Sequence, residues 1–214
     1  MSLRCAIVDY GRGNLYSVSQ ALEQCGAGVV LATTPDELKD ADRVVLPGVG
    51  AFGAASADLA RCGLDQALLA FADTGRPLLG ICLGMQLMFE WSEEFGHHHG
   101  LGLVPGHVAA VPATAADGRP HKVPHIGWNE LVPPSVPDGW AGTILGDIAP
   151  GASVYFVHSF RGIPRDGSDR LADCIYNGQR ITAAVHRGSI WGCQFHPEKS
   201  GETGLRILSR FLRL

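Results

Sequence analysis

The chain has 214 residues, 46% of them hydrophobic, with 17 Lys and Arg against 21 Asp and Glu and a formal net charge of −4. That length suits one α/β domain over residues 1–214, and the apolar fraction can fill a sizeable core. Mild acidity without a long basic run speaks against nucleic acid and anionic membrane surfaces as partners, and no apolar stretch reaches the ~18 residues of a membrane span.

The opening segment Met1-Ser2-Leu3-Arg4-Cys5-Ala6-Ile7-Val8-Asp9 has no signal-peptide layout, because its apolar run is short and meets Asp9 at once. The cysteines at 5, 25, 62, 82, 174 and 193 include no Cys-x-x-Cys pair. This fits a reducing cytoplasm better than a disulfide framework or a zinc site. Cys5–Tyr10 reads as a buried strand and Gly11–Asn14 as a turn. Leu15, Val18, Ala21 and Leu22 then fall at helical spacing, with Gly26 as the C-cap. Gly11 and Gly13 do not make a dinucleotide fingerprint, since Tyr16 stands where the third glycine belongs. Gly28–Ala32 is a second strand. Thr34-Pro35-Asp36-Glu37 starts a helix with a Thr cap, Pro at the first position and Glu three after the cap. Arg43–Leu46 is a third strand running into the loop Pro47–Gly53, and helices follow near 54–61 and 64–73. The alternation predicts a three-layer α/β fold: an open mixed, mostly parallel sheet with helices on both faces. Ligands of such sheets bind at the carboxyl ends of the strands.

Next comes Pro77-Leu78-Leu79-Gly80-Ile81-Cys82-Leu83-Gly84-Met85-Gln86. A strand-like run meets Gly-x-Cys-x-Gly, and a helix is expected over 85–91. This is the nucleophile-elbow pattern with Cys82 in place of Ser. The turn strains the nucleophile's backbone and admits only small flanking residues, and the following helix favours thiolate. The plainer alternative is a buried cysteine in a strand that ends at a Gly-rich turn. His97-His98-His99 reads as a polar surface loop, because adjacent side chains seldom converge on one ion. No metal and no cofactor are expected.

Residues 101–152 are rich in Pro and Gly, with short strands near 107–111 and 122–130. A strand follows over 151–160. Cys174-Ile175-Tyr176 and 181–186 flank the Asn177-Gly178 turn of a hairpin. A strand over 189–195 ends at His196-Pro197-Glu198-Lys199. A terminal helix over 204–214 has Leu205, Ile207, Leu208, Phe211 and Leu212 on one face. Arg206, Arg210 and Arg213 form a solvated face. A catalytic cysteine needs a base and a group to orient that base. His196 qualifies as base, and an extended His-x-Glu would put Glu198 on the same side to hold its tautomer.

Together, Gly80-Ile81-Cys82-Leu83-Gly84-Met85-Gln86 and His196-Pro197-Glu198 resemble the class I glutamine amidotransferases. Further motifs narrow the resemblance to the glutaminase subunits of imidazole glycerol phosphate synthase. These are Val8-Asp9-Tyr10-Gly11-x-Gly13-Asn14-Leu15, Leu46-Pro47-Gly48-Val49-Gly50-Ala51-Phe52, Pro124-His125-Ile126-Gly127-Trp128-Asn129, Tyr155-Phe156-Val157-His158-Ser159 and His196-Pro197-Glu198-Lys199-Ser200-Gly201. Met85 and Lys199 differ from the His and Ser typical of the anthranilate and aminodeoxychorismate relatives. Phe160 departs from the family's usual Tyr. The resemblance implies a flavodoxin-like core and a Cys82-His196-Glu198 triad that hydrolyses L-glutamine through a γ-glutamyl thioester. It also implies an oxyanion hole from Leu83 and the Gly48-Val49 loop, and glutamine contacts from Gly50, Gln86, His158, Ser159 and Phe160. Trp128, Tyr155 and Lys199 would face a (β/α)8 cyclase subunit, HisF, in a heterodimer. That partner would use the ammonia to convert PRFAR into imidazole glycerol phosphate and AICAR in histidine biosynthesis. Two other readings of the residues remain at this point: a cysteine hydrolase of the same superfamily acting alone, such as a γ-glutamyl peptidase, and a binding module with an inert cysteine.

Overall fold

The computed structural model describes residues 3–134 and 139–214. Met1, Ser2 and residues 135–138 of the Pro- and Gly-rich segment lie outside the described residues. The first half alternates as predicted: β1 (Arg4–Val8), α1 (Leu15–Gln24), β2 (Gly28–Ala32), α2 (Pro35–Lys39), β3 (Arg43–Leu46), α3 (Phe52–Arg61), α4 (Leu64–Asp73) and β4 (Leu78–Ile81). Local chemistry sets the boundaries. Gly26 takes φ +92° just beyond α1, and the Glu37 carboxylate accepts the N–H groups of Thr33 (2.7 Å) and Thr34 (2.9 Å) at the start of α2.

After β4 come α5 (Leu83–Leu87), β5 (Phe89–Ser92), β6 (His98–His99), β7 (Val104–Ala110), β8 (His125–Glu130), β9 (Ser153–His158) and β10 (Phe160–Pro164). The chain continues through β11 (Arg170–Tyr176), β12 (Gln179–Arg187), β13 (Ile190–Cys193) and α6 (Gly201–Arg213). The main sheet has seven strands in the order β11-β12-β13-β4-β3-β1-β2. Neighbours from β13 to β2 are parallel, and the β11–β12 hairpin joins antiparallel. Its turn residues Asn177 and Gly178 both have positive φ, 49° and 77°, as a tight hairpin requires. Four strands, β10-β7-β5-β6, form a second sheet, and β8 pairs with β9 alone.

Side chains alternate across the main sheet into two cores. Cys5, Ile7, Leu79 and Ile81 pack with Val18 and Leu22 of α1 and Ile207, Leu208 and Phe211 of α6. Ala6, Val8, Val44, Leu46 and Leu78 pack with Phe52, Leu59, Leu64, Leu68 and Phe71 of α3 and α4. Both faces are thus covered, which makes three layers. No helix among the described residues is long and apolar enough to cross a membrane.

Four local expectations change. The helix expected over 85–91 stops at Leu87, and Phe89–Ser92 is β5. Residues 85–89 are all buried, so hydrophobic period could not separate helix from strand there. The strand expected over 151–160 breaks at Ser159, because β9 pairs with β8 whereas β10 pairs with β7. The three histidines are not simply a loop: His98 and His99 pair with Ser92 and Trp91, and Trp91 stacks between His97 (4.9 Å) and His107 (4.7 Å). Among the described residues, no group of three His, Cys, Asp or Glu could hold a metal. Finally, the arginines of α6 are not all free in solvent. Arg210 donates to Thr143 O (3.3 Å) and Arg213 pairs with Asp147 (2.9 Å), which ties the 139–152 loop to the helix.

Candidate active site

The site forms where three parallel strands end side by side. β3 runs into Pro47–Gly50, β4 into Cys82, and β13 into Gln194–His196, and β4 pairs with both of the others. Cys82 sits at φ 55°, ψ −111°, a conformation that costs a β-substituted residue about 1–3 kcal/mol and survives only under constraint. The constraints are visible. Cys82 N–H donates to Cys193 O (2.7 Å), and Gln86 N–H donates to Cys82 O (3.2 Å). Gly84 packs so closely under β3 that a Cβ there would overlap Leu46 O. The glycine after the nucleophile is therefore required by the close approach of two backbones.

His196 is almost wholly buried, and its Nδ1 meets Glu198 Oε1 at 2.8 Å. The geometry differs in detail from an extended His-x-Glu, because Pro197–Lys199 is a turn of 3-10 helix. Ser200 pins this turn. Its hydroxyl donates to His196 O (2.6 Å) and accepts Tyr155 N–H (3.0 Å), while His196 N–H donates to Tyr155 O (2.9 Å). Burial by itself would depress the His196 pKa. The Cys82 and Glu198 side chains outweigh burial and hold the imidazolium up to about 9. His196 Nε2 is buried without a hydrogen-bond partner in the protein, which leaves that nitrogen for a proton in transit.

Cys82 and His196 line one cavity of about 310 Å³ together with Val49, Gly50, Leu83, Gln86, His158, Ser159 and Phe160. Nine of the residues singled out from the sequence thus converge. Gly48 does not reach the wall; it is buried, and a Cβ there would press on the Tyr10 hydroxyl and the elbow. Tyr10 in turn donates to Pro47 O at 3.0 Å. Glu198 lies behind His196. Trp128 and Lys199 are exposed outside the cavity, and Tyr155 is half-buried with its ring edge-on to Trp128 at 6.0 Å. At Phe160 the main chain matters: its carbonyl accepts from Gln86 Nε2 (2.9 Å) and from His158 Nδ1 (2.8 Å). Its ring stands edge-on to Phe95 at 6.5 Å.

Sequence reasoning missed Glu94, Pro124, Val157 and Gln194. The first three line the cavity, and Gln194 Nε2 lies 3.9 Å from Cys82 Sγ. Glu94 accepts Phe52 N–H at the start of α3 and lines the cavity wall. It follows β5 in a turn with no periodic signal. Gln194 is within two residues of His196, and that adjacency was the available clue.

A cysteine on an elbow and a buried His–Glu pair that share a cavity at the sheet's carboxyl edge define an amide-cleaving thiol enzyme of the α/β type. The chain belongs to the glutamine amidotransferase class-I family, whose model matches residues 6–214. It is 51% identical over 209 residues to imidazole glycerol phosphate synthase subunit HisH 1 of Legionella pneumophila (strain Lens), covering 98% of both chains. It is 46% identical to the HisH subunit of Geobacillus sp. (strain WCH70), covering 96% of this chain and 94% of that one. Its place in the family is with these HisH subunits. The fold also matches PurLQS from Thermotoga maritima, with a TM-score of 0.75 at 22% identity over 100% of this chain and 99% of that one.

Proposed function

We propose that the chain is the glutaminase subunit of imidazole glycerol phosphate synthase, folded as a single amidotransferase domain. His196 takes the Cys82 thiol proton, the thiolate attacks the glutamine amide carbon, and His196 gives that proton to the nitrogen as the C–N bond breaks and ammonia leaves. The resulting γ-glutamyl thioester is hydrolysed with His196 as base and Glu198 as its orienting group. Leu83 N–H and the Gly48-Val49 segment stabilise the oxyanion. Gly48 and Gly50 flank Val49 and let its peptide plane rotate, so that the hole is completed on activation. Gly50, Gln86, His158, Ser159 and Phe160 hold glutamine, with the Glu94 carboxylate facing its ammonium. The ammonia passes to a (β/α)8 cyclase subunit, HisF, held as a heterodimer through Trp128, Tyr155 and Lys199. The setting is the cytoplasm, in histidine biosynthesis.

The observation that carries this reading is the strained Cys82 sharing one cavity with the Glu198-paired His196. The test uses the assembled synthase. Cys82→Ala should lose glutamine-dependent product formation by several orders of magnitude. Ammonium salt at alkaline pH should restore it, because free NH₃ reaches the cyclase without this subunit. His196→Ala should behave alike. Failure of ammonium to restore turnover in an intact complex would refute the division of labour. Glutaminase activity at full rate without any partner would favour the lone hydrolase instead.

A further inference from the structure

A continuous line of hydrogen bonds leaves Cys82 and ends on β8. Gln194 Nε2 lies 3.9 Å from Cys82 Sγ, and Gln86 Nε2 donates to Gln194 Oε1 at 3.0 Å. Gln86 Nε2 also donates to Phe160 O (2.9 Å), and the same carbonyl accepts from His158 Nδ1 (2.8 Å). His158 Nε2 and His125 Nδ1 are 3.1 Å apart. Asn129 Nδ2 stands 3.5 Å from His125 Nε2 and donates to Ile175 O at 3.0 Å.

One fixed end determines every proton. A carbonyl can only accept, so His158 carries its hydrogen on Nδ1. Its Nε2 must then accept from His125 Nδ1–H, and His125 Nε2 must accept from Asn129. Burial keeps both rings neutral, lowering His158 to about 3 and His125 to about 4. The His125 ring is held by stacking on Tyr176 (4.0 Å) and Phe156 (4.8 Å). Gln194 has no exposed surface and supplies the one side-chain amide aimed at Cys82 Sγ among the described residues. Hydrogen bonds to an ionised acceptor are stronger than neutral ones, so this donor favours thiolate.

Building on the glutaminase reading, we propose that Gln194 stabilises the Cys82 thiolate as an N–H donor, and that His125 is a positioning residue which fixes the Phe160 edge of the glutamine cavity through His158. The relay is geometric and moves no proton. Its far end, Asn129, neighbours Trp128 on β8, so docking on that strand bears on the cavity through the same contacts.

Two arms test it on the full chain. The first follows alkylation of Cys82 by chloroacetamide at neutral pH, read as mass of the Cys82 peptide. Gln194→Met keeps the side-chain length and removes the N–H; the rate should fall about three- to tenfold. The second follows glutamine turnover in the assembled synthase. His125→Phe keeps the stacking and removes the donor; KM should rise about fivefold, the order expected for one buried hydrogen bond, with kcat changed less. His125→Gln retains an N–H donor and should restore most of the loss. An unchanged alkylation rate in folded Gln194→Met overturns the first half. A wild-type KM in His125→Phe, or equal impairment in His125→Phe and His125→Gln, overturns the second. Should Gln194→Met fail to fold, Gln194→Leu, which also removes the N–H, is read in its place by the same alkylation rate. Alkylation needs no glutamine turnover, so an assembled wild-type synthase whose Cys82 alkylates fast but which spares glutamine would refute the glutaminase reading and not the thiolate donor.

Discussion

Six cysteines share this chain, and their surroundings separate them. Burial pushes the thiols of Cys5 and Cys174 up to about 12, raises Cys193 further and raises Cys25. Only Cys82 lines the cavity with His196. A glutamine-like electrophile should therefore label Cys82 and spare the other five, and peptide mapping that found the label mainly on Cys25 or Cys62 would contradict the assignment. His196 adds a pH signature. Its folded pKa of about 9 exceeds the ordinary 6.5, so its stabilisation is complete below about 6.5 and is lost as pH rises through 9. Thermal melts between pH 6.5 and 9.5 should show stability falling with a slope of at most about 1.4 kcal/mol per pH unit, one proton's worth. Cys82→Ala removes a raising influence on His196, so its melts should fall less steeply over that range. Identical slopes would mean that the sulfur does not support the imidazolium.

At the scale of elements, the triad depends on how α6 seats against the turn that carries Glu198. Gly204 lies so near Pro197 O that a Cβ would overlap it, with Ser200 also close. Overpacking of this kind typically costs about 1–3 kcal/mol and shifts backbone. Gly204→Ala should therefore lower the melting temperature and, by displacing the Pro197–Lys199 turn, reduce glutaminase kcat about tenfold or more. An exposed control, Glu202→Ala, should leave kcat near wild type. Full activity in Gly204→Ala would show that the turn holds its shape without this contact. The elbow obeys the same logic: α5 is short because β5 must leave at once to join β7 and β6.

At the scale of the whole molecule, two of the residues proposed to face a partner, Tyr155 and Lys199, reach the triad through the main chain. Tyr155 shares two hydrogen bonds with the His196–Ser200 turn, and Lys199 N–H donates to His196 O at 3.0 Å. Trp128 is 59% exposed, and Ile126, two residues earlier on the same face of β8, is 51% exposed, so this face offers a partner an apolar patch. Lys199→Ala should weaken stimulation of glutaminase by the cyclase's ligand several-fold while changing the melting temperature little. An unchanged stimulation factor would remove Lys199 from the communication between subunits.

Residue order alone determined the alternation of β1 to β4 with their helices, the Asn177-Gly178 hairpin, the α2 start at Thr34 and the elbow at Cys82, while the β4–β13 pairing brought His196 and Glu198 to it. Each rests on short-range chemistry: a period, a cap, a turn type, or a strained motif that tolerates few residues. Tertiary structure decided what depends on partners distant in the chain. Phe89–Ser92 is buried whether helix or strand, and pairing with β7 made it a strand. Ser159 breaks a single apolar run because β8 and β7 claim its two ends. Arg210 and Arg213 looked solvated until Thr143 and Asp147 came beside them. Glu94 and Gln194 carry no motif, and they enter the site only because α3 and the elbow bring the cavity wall to them. Periodicity reports one face of one segment, and a carboxylate or an amide gains its role from whichever backbone and sulfur the fold sets within hydrogen-bond reach.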